Sequence, residues 1–61
     1  MNVYDFCALY IEDGEEVVIW SAFKGSNVFR GTFNEAQFSR YAICEVNSFG
    51  IENGIICINI D

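Results

Sequence analysis

The sequence predicts an α+β domain of order βββαββ: a mostly antiparallel five-stranded sheet with one short helix packed on it. Three observations lead there. Short runs rich in β-branched and aromatic residues fill most of the 61-residue chain. Asp13-Gly14 and Asn53-Gly54 are hairpin dipeptides, because glycine tolerates the positive φ of tight turns. Gly31 to Ala42 alone breaks the strand-like pattern, with the signals of a helix start.

Val3 to Ile11 reads as the first strand, apolar on both faces as suits a central strand, and Glu12 to Glu16 as the turn after it. Val17 to Phe23 is the second strand, Lys24 to Asn27 a turn by composition, and Val28 to about Phe33 the third strand. Gly31 within it marks a bulge or a close approach of backbone. Asn34 is the expected N-cap of the helix, Gln37 completes a capping box, and Phe33 with Phe38 forms a hydrophobic staple. The helix is expected from Glu35 to about Ala42, with Phe38, Tyr41 and Ala42 seated on the sheet. Ile43 to Phe49 alternates as a fourth strand, Gly50 to Gly54 reads as a turn, and Ile55 to Ile60 closes the chain as a fifth strand with an aliphatic face of Ile56, Ile58 and Ile60. The helix is expected on that face.

A chain of this length forms a single domain, residues 1–61, that removes only about 60% of its extended surface from water. Against so thin a core, 52% of residues are hydrophobic and 16% aromatic. Part of this apolar surface is therefore expected to be exposed or covered by a second copy or an obligate partner. Three basic residues against nine acidic ones give a net charge of −6, which disfavours direct nucleic-acid binding and suits a basic partner. Cys7, Cys44 and Cys57 are odd in number and follow no metal-binding or CxxC spacing, so neither disulfides nor a zinc site is expected. A reducing cytosol fits. No signal peptide or membrane span is indicated.

Catalysis is not expected. The chain has no histidine, its cysteines lie in apolar contexts that favour inert burial, and Glu45 is an isolated strand carboxylate. No cofactor is implied. Glu12, Asp13, Glu15 and Glu16 put four carboxylates around one turn. They lack the ligand spacing of an EF-hand, which leaves a solvated hairpin tip or a recognition surface for a basic groove, with carboxylates spaced roughly as phosphates. Trp20 and Phe23, with Phe29 and Phe49, are candidate aromatic anchors, since ten aromatic residues exceed what one short helix can cover.

From Val17 to Ile60, the strand pair, Gly31-Thr32-Phe33, a short helix ending in Tyr41, Glu45 to Phe49, a turn, and Gly54 to Ile60 follow one another in a layout that resembles the very small acidic proteins of bacteriophages and other mobile elements. Several of those inhibit host defence, anti-CRISPR proteins being the best known. The resemblance implies a non-enzymatic inhibitor in the cytoplasm of a bacterial host. Its expected partner is a basic nucleic-acid-binding protein such as a Cas effector; the charge and aromatic pattern of this chain, rather than the resemblance, puts the contact on Glu12, Asp13, Glu15, Glu16, Trp20 and Phe23. No site residue carries over from the resemblance, because the group shares no motif. The alternative is a homo-oligomeric structural or assembly module in which the acids serve solubility only.

Overall fold

The computed structural model describes residues 1–9 and 15–61. Within them the elements are α1 (Val3–Ala8), β1 (Glu16–Ser21), β2 (Ser26–Thr32), α2 (Phe33–Gln37), β3 (Ser48–Glu52) and β4 (Ile55–Ile60). The strands form one sheet of order β2-β1-β4-β3. The central β1–β4 pair is parallel and both outer pairs are antiparallel. A four-stranded mixed sheet with two helices thus replaces the expected five-stranded, mostly antiparallel sheet with one helix.

The first correction lies at the N-terminus, where Val3 to Ala8 is helical rather than extended. Asn2 caps it, its side-chain oxygen accepting from the Asp5 N–H at 2.8 Å. Val3, Phe6 and Cys7 are buried at i, i+3 and i+4, the stripe a helix presents to a core. The Val3 and Tyr4 N–H groups, unpaired within the helix, donate to the carbonyls of Cys44 and Ala42, both at 2.9 Å. Those bonds explain a second correction. Residues 43–47, expected as a strand, are drawn toward α1, where the Val46 N–H also donates to the Met1 carbonyl and Asn2 and Glu45 form an isolated bridge. Strand structure resumes only at Ser48.

The second helix starts earlier than expected and is shorter. Its N-cap is Thr32, not Asn34: the Thr32 hydroxyl accepts from the Glu35 N–H at 3.1 Å, while the Glu35 carboxylate accepts from the Thr32 N–H at 2.9 Å. Phe33 and Ala36 then fall three apart and are buried, whereas Phe38, expected to seat on the sheet, is exposed. Ser39 ends the helix by donating both its N–H and its hydroxyl to the Ala36 carbonyl. Gly31 is a place of close approach: a Cβ there would meet the Glu35 carboxylate at 2.9 Å and the Phe29 ring at 3.1 Å.

Register divides the sheet into two faces. Val17, Ile19 and Ser21 of β1 lie level with Ile56, Ile58 and Ile60 of β4, and the opposite neighbours are Gly31 and Phe29 of β2 and Ile51 and Phe49 of β3. Both helices cover this side, where Val17, Ile19, Ile58 and Ile60 join Val3, Phe6, Cys7, Phe33 and Ala36 in one buried cluster. The turn expected over Gly50 to Gly54 shrinks to Asn53-Gly54, with positive φ at both residues (54° and 78°), because Gly50, Ile51 and Glu52 pair with β4 as part of β3.

Candidate protein-interaction surface

Among the described residues no helix covers the opposite face of the sheet, where Val18 is buried among its strand neighbours. Alternation places Glu16, Val18 and Trp20 of β1 on it, beside Thr32, Arg30 and Asn27 of β2. Across the parallel pair come Cys57 and Asn59 of β4, followed by Gly50 and Ser48 of β3. Ile55 and Glu52 complete the row that begins with Glu16. Small side chains occupy the middle of this face and leave a shallow depression of about 160 Å³ lined by Val18, Asn27, Glu52, Asn53, Ile55 and Cys57. An apolar floor of Val18, Ile55 and Cys57 is thereby bordered by one carboxylate and two amides.

Charge on this face is mixed and partly compensated. The Arg30 guanidinium donates to the Glu16 carboxylate across neighbouring strands, and both groups stand in solvent. This hydrogen bond holds the Glu16 carboxyl below its ordinary range and raises Arg30. Glu16 is therefore committed to an ion pair within the chain, while Glu15 and Glu52 present exposed carboxylates at the same end of the sheet. Ser48 and Asn59 are joined at 2.9 Å by the Asn59 amide donating to the Ser48 hydroxyl.

At the other end stand the aromatics. Trp20 is 37% exposed on the open face, and Phe23 is 89% exposed in the turn of residues 22–25 that follows β1. The expected strand from Val17 to Phe23 stops at Ser21, whose buried side chain holds that turn. The Ser21 hydroxyl donates to the Asp61 carbonyl at 3.0 Å and accepts from the Lys24 N–H at 3.1 Å. Its carbonyl accepts from the Gly25 N–H at 2.7 Å, and the Ala22 N–H donates to the Ile60 carbonyl at 2.8 Å. Phe23 is thus presented on a tied turn.

Of the residues expected to form the site, Glu12 and Asp13 lie outside the described residues. The acidic turn as a unit therefore has no described geometry. Glu15 precedes β1, Glu16 opens it, Trp20 is its fifth residue and Phe23 lies in the turn beyond it, so Glu16 and Trp20 share the open face roughly 13 Å apart by strand rise. Glu52, Val18, Ile55 and Cys57 belong to the same surface and were not anticipated. The alternation of β1 and β4 was visible in the sequence, but only the sheet order places these strands side by side. Cys7 is buried against the core, where burial pushes its thiol up to about 11; Cys44 and Cys57 are half-buried.

No helix among the described residues is long and apolar enough to cross a membrane. Compared with protein-family models, with curated proteins and with solved structures, the chain matches none.

Proposed function

We propose that this chain is a non-enzymatic protein-binding inhibitor whose open sheet face occupies a basic, nucleic-acid-binding surface of another protein in the bacterial cytoplasm. A Cas effector is the partner class to test first. One observation carries the reading: a sheet face that no helix among the described residues covers combines an apolar depression with a partly exposed tryptophan at one end and carboxylates at the other. Aromatic side chains bring large contact area at small entropic cost, and strands hold the acids at fixed spacing for lysine and arginine. The net charge of −6 supports it further by steering a cationic surface toward the chain and speeding encounter.

Affinity capture of the tagged chain from a bacterial lysate containing CRISPR effectors, washed at rising salt, tests this. The expected result is a stoichiometric nucleic-acid-binding protein that elutes with salt. It should be lost when Glu12, Asp13, Glu15 and Glu16 are all changed to Lys, and when Trp20→Ala is introduced, with the far-UV spectrum of each variant unchanged. Recovery of the chain alone, or capture indifferent to both changes, would overturn the reading for that host.

A further inference from the structure

We infer that two copies of this chain pair through their β3 strands into one continuous sheet, antiparallel and two-fold symmetric about Gly50. The inference concerns the sheet edge and does not depend on what binds the open face. β3 ends the strand order, and all five of its residues are exposed. Such an edge carries main-chain donors and acceptors that a further strand can satisfy.

The hydrogen bonds around β4 identify those groups. The Ile60 carbonyl accepts from the Ala22 N–H just beyond β1, so Ile60, Ile58 and Ile56 turn their main chain toward β1. The Asn59 carbonyl accepts from the Asn47 N–H, so Asn59, Cys57 and Ile55 turn theirs toward β3. Gly50 lies opposite Cys57, and Phe49 and Ile51 lie opposite Ile58 and Ile56. Gly50 therefore points inward, while Phe49 and Ile51 aim their N–H and C=O groups out of the sheet.

About Gly50 the strand is complementary to itself. In that register Phe49 meets Ile51 of the second copy, Ile51 meets its Phe49, Gly50 meets Gly50, and Ser48 meets Glu52. The outward main-chain groups of Phe49 and Ile51 then face one another as hydrogen-bonded pairs. Phe49 and Ile51 are 61% and 74% exposed on the helix side, and the Phe49 ring lies 4.9 Å from that of Phe6. Pairing makes one apolar strip running from Phe6 of one copy to Phe6 of the other. The two Glu52 carboxylates end roughly 14 Å apart along the strands, beyond a Debye length of about 8 Å at physiological salt. The other edge, β2, is blunted by its register shift opposite Ile19 and Trp20 and by the charge of Arg30. β3 pairs with β4 without a register shift and carries one charge, Glu52, at its end and away from the Phe49–Ile51 centre.

So short a seam falls below the roughly 1,200 Å² of a stable interface, so the dimer is expected to be concentration-dependent. With six net negative charges on each copy, salt should strengthen it, opposite to the complex with a basic partner.

Register-specific crosslinking tests the inference. A Cβ at Gly50 meets nothing within 4 Å. Facing Gly50 residues form a non-hydrogen-bonded pair with Cα atoms about 4.5 Å apart, within disulfide reach. In a Cys44→Ser, Cys57→Ser background, Gly50→Cys should give a covalent dimer under mild oxidation, and Glu52→Cys should not. In the wild-type chain, exchange of the Phe49 and Ile51 amides should slow as concentration rises. Ile51→Pro, which removes one outward donor, should abolish the slowing and leave the remaining sheet amides protected. A monomer at millimolar concentration with both amides exchanging fast would overturn the inference, as would equal crosslinking of the two cysteine variants. A dimer that leaves those amides in fast exchange would also overturn it, in favour of another face.

Discussion

Ile58→Val gives the sharpest test of which sheet face the helices cover. Ile58 is fully buried, lies level with the equally buried Ile19, and sits in the cluster with Val3, Phe6 and Ala36. Removing one methylene from such a site costs about 0.5–1.5 kcal/mol, part of it for the void that neighbours cannot close. For a domain of this size each kcal/mol moves the melting temperature by about 4–8 °C. Total stability at about 0.05–0.15 kcal/mol per residue is only about 3–9 kcal/mol, so Ile58→Ala, at about 2–5 kcal/mol, would remove much of it. The control is Ile55→Val on the half-buried open face, expected to cost less than about 0.5 kcal/mol. Thermal and urea unfolding followed by far-UV circular dichroism and by Trp20 fluorescence measures both. Equal losses for the two variants, or a larger one for Ile55→Val, would refute the assignment of the covered face.

Three further outcomes are expected. Thr32→Ala should lower stability by about 1 kcal/mol in urea titrations by breaking the capping box, and Asn34→Ala should change it by less than about 0.5 kcal/mol. The Cys7 thiol is buried and its pKa raised, so above about pH 9 an unfolded chain releases this proton while the folded chain keeps it until about pH 11. Stability should therefore fall as pH rises through that window, and Cys7→Ala should flatten the alkaline limb of a melting-temperature profile. The Arg30 hydrogen bond lowers the Glu16 pKa, so its stabilising effect is present above the ordinary glutamate range and disappears as acid protonates Glu16; Arg30→Gln should return the carboxyl carbon titration of Glu16, followed by NMR, to that range.

What the sequence disclosed was local. Asn53-Gly54 and the strand from Ile55 to Ile60 are found where hairpin chemistry and β-branching put them. The N-terminal helix escaped because Tyr4 and Ala8 are as apolar as Val3, Phe6 and Cys7, so the stretch matched an all-apolar strand as well as a helical stripe. Asn34 is a good cap in isolation, but Thr32 already ends a strand in extended geometry with its hydroxyl aimed at the Glu35 N–H. Residues 43–47 alternate like a strand, yet the carbonyls of Ala42 and Cys44 satisfy the start of α1, a partner that no local pattern names. The same limit applies to the candidate surface. Glu16, Val18 and Trp20 share a face by alternation alone, whereas Glu52 and Cys57 join them only because β4 pairs in parallel with β1, which is decided by burying Ile19 against Ile58.

Trp20 is the sole tryptophan, so its emission reports directly on the open face. The decisive measurement is a titration of the chain with the captured partner, followed by Trp20 fluorescence and repeated with competing nucleic acid. If the open face is the inhibitory surface, emission shifts to the blue as the complex forms and reverts when nucleic acid or salt displaces the chain. A complex that forms with Trp20 emission unchanged, or that binds nucleic acid without releasing the chain, contradicts the account.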